Sequence, residues 1–301
     1  MKDTRTDFRT PTQQVRLRGQ LTARTALRIG AGRSYDVLGD DLPVVKDSLD
    51  RPVIPGSSLK GALRAYAESV LRALEPLVER LDADPPLSCD PLTKPCLSSD
   101  EVTDLKKKKN ADAQLQAKSC WACRLFGAPW LASRVLVKDL SVREETWFGH
   151  FGHRDGVSIN RDKGTAQHKK RYTFETVPEQ TVFDFELVVN DGSDAELGLL
   201  LLTLEGIDNG QISIGGARSR GLGSISLDTD WDHVEQITPD NALEALGARV
   251  LGKDVPTTAW SHQQRDEWIL AFFRAIDLPE AMIERWRAAR HRGRKEIDHG
   301  E

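Results

Sequence analysis

Apolar and polar residues alternate along residues 15–30 (VRLRGQLTARTALRIG), the period of a half-buried strand, until Gly30-Ala-Gly32 interrupts it. A polar loop, RSYDVLGDDL, leads to the apolar pair Val44-Val45. The period then lengthens. Leu59, Ala62, Leu63, Tyr66, Val70 and Leu71 recur at helical spacing after the turn residues Pro52, Pro55 and Gly56. This predicts a helix running to about residue 80, with Ser57 or Ser58 capping its first turn. Residues 81–118 show neither period and are expected to form a long irregular insert. Residues 134–142 read as a strand, and the segment after Trp147, rich in turn residues and poor in core residues, as a protruding hairpin. Phe183, Phe185, Leu187 and Val189 alternate along a strand over 182–189. Residues 194–207 (containing LGLLLLTLEGI) predict a buried helix, 222–227 a last core strand, and the pattern turns helical from about Pro239.

The order strand, helix, strand, strand, helix, Gly-rich turn, strand predicts an α+β, ferredoxin-like (RRM-like) βαββαβ core. On this reading residues 1–238 are the core, with an insert at 81–123 and a hairpin at 143–181, and 239–301 are a C-terminal helical extension. Fold alone assigns no function. Composition adds bounds: 301 residues, 39% hydrophobic and 29% charged, describe a soluble globular protein. No apolar run approaches the roughly 20 residues that span a bilayer. The N-terminal stretch lacks the apolar core of a secretion signal, so the cytoplasm is the expected compartment and no membrane partner is expected.

A net charge of −4 gives no global pull toward nucleic acid, so any such site must be a local patch. Between His153 and Thr173 six cations (Arg154, Arg161, Lys163, Lys169, Lys170, Arg171) face two anions (Asp155, Asp162). Lys60 and Arg64, four apart beside a glycine-flanked helix start, suit a phosphate, although the residue order is wrong for a P-loop; two solvated cations on an ordinary helix are the alternative. The loop acids Asp36, Asp40 and Asp41, with Asp47 beyond, can hold Mg²⁺ or orient a ribose hydroxyl, or simply be surface acidity. In the stretch from Ile214 to Gly223, IGGARSRGLG, four glycines allow close backbone approach to a ligand, to which Arg218 and Arg220 bring charge. His150, His153 and His168 are candidates for acid–base work without a fixed partner in sequence. The lysine run 106–109 is a solvated face or an RNA-backbone contact. All four cysteines lie in one segment, Cys89-x6-Cys96 and Cys120-x2-Cys123, and in a cytosolic chain this points to a tetrahedral structural Zn²⁺ rather than disulfides.

Together, LRIGAG, PVVKD followed by PVIPGSSLKGALR, the CxxC-RLFG segment, GVSINRDKGTA and GGARSRGLG resemble a RAMP-superfamily backbone subunit of a type III CRISPR effector complex, over residues 15–228. The four-cysteine insert resembles the zinc-bearing branch of type III-D-like systems. The resemblance implies a filament of subunits along a CRISPR guide RNA. Ser57, Ser58, Lys60 and Arg64 would hold guide phosphates, as would Gly215, Gly216, Arg218, Ser219 and Arg220. GVSINRDKGTA would lie in a thumb-like hairpin that wedges between guide and target RNA and displaces a base, with Arg154, Arg161 and Lys163 on the RNA. A loop aspartate would drive Mg²⁺-dependent target cleavage: counting back from Pro43 this is Asp41, and because LGDDLPV is one residue shorter than the family pattern, Asp40 is the alternative. Implied partners are target RNA, further backbone subunits, a large polymerase/cyclase-like subunit and a small subunit. Residues from about 239 match nothing in the family pattern. Three other readings compete: an inert guide-binding scaffold, a stand-alone guide-processing endoribonuclease using histidine, and a zinc-stabilised RNA-binding protein unrelated to CRISPR.

Overall fold

Strand β1 (Gln14–Ala23) buries Val15, Leu17, Leu21 and Ala23 on one face and turns Arg16, Arg18 and Gln20 to the other, as its alternation requires. The computed structural model describes residues 12–33, 41–78, 85–162 and 164–298, with backbone only at 158–159, 166–171 and 293–298. After the two-residue β2 (Val53–Ile54), helix α1 (Gly56–Leu74) buries Leu59, Leu63, Ala67 and Leu71. Its start differs from expectation. The residue before the helix is Pro55, and Ser57 and Ser58 lie within the first turn without capping it. Asp139 Oδ1 instead accepts the Gly56 N–H at 2.8 Å. Gly56 makes this possible, because a Cβ there would sit 2.2 Å from the Val137 carbonyl oxygen. The helix also stops short of residue 80, since Pro76 offers no N–H; Glu75–Leu77 forms one 3₁₀ turn.

The insert is not irregular. It carries α2 (Ser99–Lys106) and α3 (Ala111–Ala117), whose Leu105 and Leu115 form a small core with Leu97. The local cause is a reciprocal cap, in which Ser98 accepts from the Glu101 N–H and Glu101 accepts from that of Ser98. Helix α4 (Trp121–Phe126) follows, capped by Cys120.

The strand predicted over 134–142 divides into β3 (Val135–Val137) and β4 (Leu140–Ser141), which pairs with β2; the break falls where Asp139 leaves to cap α1. Strands β5 (Gly152–Asn160) and β6 (Thr165–Thr176) form a separate antiparallel hairpin. Then come β7 (Val182–Asn190), α5 (Asp194–Asp208), β8 (Ile225–Thr229) and β9 (Val234–Ile237). The chain finishes with α6 (Ala242–Val250), β10 (Thr257–Thr258), α7 (His262–Ala275) and α8 (Glu280–Asp298).

The result is a mixed α/β protein with one main antiparallel sheet. β8 and β9 lie end to end along one edge of β1, β7 lies along the other, and β3 lies beyond β7. Register places Leu17 opposite Leu187, and Leu21 opposite both Phe183 and Leu227, so the buried face is continuous. The opposite face carries Arg16 and Arg18 on Glu186 and Glu235, with Lys138 on Glu186.

Trp268, Ile269, Phe272 and Phe273 of α7 join the same core as β1. At the contact of α5 with α7, a Cβ on Gly198 would fall 2.0 Å from the Trp268 carbonyl oxygen. Overpacking costs about 1–3 kcal/mol, against about 1 kcal/mol gained by alanine in a helix. Gly198→Ala is therefore expected to lower the urea midpoint, by a net destabilisation of up to about 2 kcal/mol. An unchanged midpoint would show that α7 shifts freely on α5. Among the described residues no helix is long and apolar enough to cross a membrane.

Candidate functional site

Beyond its last sheet pairing, the chain after β1 becomes a meeting point for three distant segments. Leu27 exchanges backbone hydrogen bonds with Val177 at the base of the hairpin (2.9 and 2.7 Å). The Val45 N–H donates to the Ile29 carbonyl (2.8 Å), drawing in the end of the acidic loop, and the Gly216 N–H donates to the Arg28 carbonyl (2.7 Å). The three segments enclose an open groove of about 450 Å³ lined by Arg28, Arg33, Asp41, Tyr172, Ser219 and Arg220.

Asp41 is held against the hairpin, since its Oδ2 accepts the Thr173 N–H at 2.9 Å. The guanidinium of Arg28 lies 5.2 Å from the centre of the Phe174 ring, and its Nε is buried with no hydrogen-bond partner among the described residues. Arg220 donates to the Tyr172 hydroxyl at 3.0 Å. The Tyr172 ring lies on Gly156 across the hairpin, where a Cβ would meet its Cζ at 2.1 Å. Among the described residues one carboxylate thus stands with three guanidinium groups, an arrangement that attracts a phosphodiester and sets an acid beside it. Arg28, Arg33 and Tyr172 were missed by sequence reasoning. Arg28 is inside LRIGAG and Arg33 just after it, but only the fold turns them toward Asp41.

The glycine-rich loop behaves differently from expectation. Gly215 has φ +82°, and a Cβ there would lie 2.3 Å from the Arg28 carbonyl oxygen, so the close approach it permits is to the chain's own backbone. Ser219 and Arg220 reach the groove, whereas Arg218 donates to the Ser213 carbonyl (3.4 Å). Arg154 and Arg161 are exposed on the hairpin, outside the groove lining. Asp40 and Lys163 lie outside the described residues, as does the side chain of His168. His150 and His153 are exposed, and neither lines the groove.

In GSSLKGALR, Ser57 is exposed and Ser58 half-buried. The Lys60 ammonium donates to Ser133 Oγ at 2.7 Å; burial, then the Arg64 charge, pull its pKa down. Arg64 is half-buried and turns to Glu68 and to the end of α4.

The start of α4 carries two of the cysteines, Cys120 as its cap and Cys123 in its first turn, and the insert brings Cys89 and Cys96 to them. The four Sγ atoms lie within 4.8 Å of one another, Cys89 and Cys123 at 3.6 Å. A tetrahedral Zn²⁺ with Zn–S bonds of about 2.3 Å has S···S edges of about 3.8 Å. The donor set therefore fits a Cys₄ zinc site in number, type and spacing. Backbone N–H groups also point at the sulfurs: that of Cys120 donates to Cys96 Sγ (3.2 Å) and that of Cys123 to Cys120 Sγ (3.5 Å). Hydrogen bonds from Cys123 and Cys96 draw the Cys120 thiol down to about 2, and the same contact with Cys120 pushes Cys123 far up and Cys96 up to about 12. Four sulfurs this close cannot all ionise without a cation among them.

A family model described as the RAMP superfamily matches residues 20–226, more than half of the chain. The chain is similar to the CRISPR system Cms endoribonuclease Csm3 of Methanothermobacter thermautotrophicus: 26% identical over 236 residues, 69% of this chain and 81% of that protein. It is also similar to the protein of the same name in Methanocaldococcus jannaschii: 26% identical over 227 residues, 71% of this chain and 78% of that protein. A shorter match, to the Mycobacterium tuberculosis protein of that name, is 49% identical over 53 residues, 17% of this chain and 22% of that protein.

Proposed function

The chain belongs to the RAMP superfamily, and on that premise we propose that it is a guide-RNA-binding backbone subunit of a type III CRISPR effector complex that cleaves RNA complementary to the guide. The observation that carries this reading is Asp41 set among Arg28, Arg33 and Arg220, at the junction of the acidic loop, the hairpin and the glycine-rich loop. The Csm3 name shared by the relatives supports it. So does the sheet: numbered along the chain, the core strands lie in the order fourth, first, third, second, which suits a ferredoxin-like core at 1–238. The four-cysteine insert at 81–123 supports the type III-D-like branch as the reading of its subtype. The extension proposed at 239–301 packs back on the core through α7.

The open sheet face argues for RNA in the groove rather than on the strands. Arg16, Arg18, Glu186 and Glu235 cross-link that face, and no aromatic side chain of β1 or β7 stands on it to stack a base. The arginines and Ser219 bind phosphates, and the hairpin carrying Arg154 and Arg161 splays the target strand. The target 2′-oxygen attacks its own phosphorus in line as the P–O5′ bond breaks. The 2′-hydroxyl gives up its proton and the 5′-oxygen gains one, leaving a 2′,3′-cyclic phosphate and a 5′-hydroxyl. Asp41 orients that hydroxyl or would hold Mg²⁺, for which one carboxylate plus substrate phosphates is a usual ligand set. Bound there, Mg²⁺ would neutralise charge developing on the phosphate. Cys89, Cys96, Cys120 and Cys123 would hold a structural Zn²⁺. The exposed apolar stripe Leu243, Leu246 and Val250 on α6 suits contact with other effector subunits. The proposed compartment is the cytoplasm.

Assembled with its partners, the protein is expected to co-purify with repeat-derived guide RNA and to leave cyclic phosphate ends on complementary target. Random cellular RNA would favour an unrelated RNA-binding protein, and 3′-hydroxyl ends would overturn the mechanism. Metal-independent cutting of free hairpin RNA would favour guide processing. A non-catalytic scaffold is the second reading, favoured by one observation: Asp41 also latches the loop to the Thr173 N–H, a structural use independent of catalysis.

A further inference from the structure

Arg64 is the residue whose surroundings depart furthest from its expected use. Its three nitrogens each meet a partner: Nε donates to Glu68 Oε1 (2.8 Å), Nη1 to the Gly127 carbonyl (2.7 Å) and Nη2 to Cys123 Sγ (3.6 Å). All three contacts are part-buried, and the side chain, 24% exposed, stands on the wall of a cavity that Cys89 and Cys123 also line. Gly127, with φ +92°, is the residue that ends α4, so the same guanidinium grips both a sulfur of the cluster and the carbonyl that closes the cysteine-bearing helix. Glu68 fixes it from behind and is itself held by Arg72.

Four thiolates around one dication leave an excess of negative charge in a largely buried place. A guanidinium donating to one of those sulfurs offsets part of it and fixes the ligand's direction, and groups placed this way typically carry a 10–100-fold effect on metal affinity. We propose that Arg64 is a positioning residue of the cysteine metal centre, tying it to α1, and not a ligand of guide-RNA phosphate. This rests on the reading of the cysteine cluster as a Zn²⁺ site.

The test uses the full chain with Zn²⁺ alone, competed against a chromophoric chelator, and in parallel the salt dependence of guide-RNA binding. Arg64→Met is expected to weaken Zn²⁺ binding about 10–100-fold and to leave the slope of log affinity against log salt unchanged. Arg64→Lys keeps a cation but not the fork, and is expected to fall between Met and wild type. If Arg64→Met does not fold, a loss of about threefold or more in the Lys variant supports the proposal. Wild-type Zn²⁺ affinity in a folded variant overturns it. So does a salt slope reduced by about 0.7, the signature of one lost phosphate contact on a single strand. A wild-type protein that takes up no Zn²⁺ overturns the metal reading and this proposal together, whereas Zn²⁺ uptake unaffected by either variant overturns this proposal alone.

Discussion

Asp41→Asn is expected to reduce guide-directed cleavage of complementary RNA by about 10²–10⁴-fold while target binding persists. The amide is the informative replacement because Asp41 has two attachments. Its Oδ2 accepts the Thr173 N–H, and its own N–H lies 3.4 Å from Thr173 Oγ1, so it fastens the loop to the hairpin. A carboxamide oxygen can still accept that N–H, so the loop stays in place while the negative charge goes. Asp41→Ala loses the side-chain acceptor as well as the charge while keeping the backbone N–H, adding the cost of a surface hydrogen bond, about 0.5–1.5 kcal/mol, to the loss of charge. The measurement is cleavage of labelled target by the reconstituted complex, with Mg²⁺ and with EDTA, for wild type, Asp41→Asn, Asp41→Ala and Asp40→Ala. Regular cuts should vanish in both Asp41 variants and persist in Asp40→Ala. If wild type and all variants cut alike, cleavage comes from another subunit and this chain is the scaffold. If only Asp41→Ala fails, the aspartate acts through the Thr173 latch and not through its charge.

Cys120→Ala is expected to have the largest effect on stability. Cys120 offers a thiolate to the cluster and caps α4, its Sγ accepting the Cys123 N–H. The insert's own small core of Leu97, Leu105 and Leu115 is slight, so a metal on the four sulfurs would carry much of the segment's order. Losing a structural metal belongs with the changes that cost more than about 4 kcal/mol. At about 2–4 °C per kcal/mol, that is a drop of roughly 8–16 °C in Tm, with bound Zn²⁺ falling from about one per chain to near zero. Proteolysis between α2 and α3 should rise in parallel. Removing Zn²⁺ from wild type with a strong chelator should reproduce the change. Lowering the pH should too, because each sulfur must shed its proton to bind and regains it in acid. An unchanged Tm and zinc content in Cys120→Ala would show that the cysteine cluster is not a metal centre.

Much of the frame was legible because burying one face of an element leaves a short-range period. The alternation of β1 and β7 and the helical spacing of Leu59, Leu63 and Leu71 each announce a buried face within a dozen residues. Local signals also existed for features that the period concealed. Ser98-x-x-Glu101 marks the start of α2 inside a stretch that shows neither period, and Pro76 marks the end of α1.

The sequence by itself determined the core strands and helices, the turn-rich hairpin and the gathering of four thiol donors, since these depend on residue type and near neighbours. Only the tertiary structure decided which polar groups meet. Asp41 and Thr173 are 132 residues apart, Gly56 and Asp139 are 83 apart, and Arg64 and Cys123 are 59 apart. Lys60 and Arg64 look alike as cations on one helix, yet one donates to a serine hydroxyl and the other to a cysteine sulfur. A charged side chain takes whichever partner the fold brings within hydrogen-bonding distance, and no periodicity in the chain encodes that meeting.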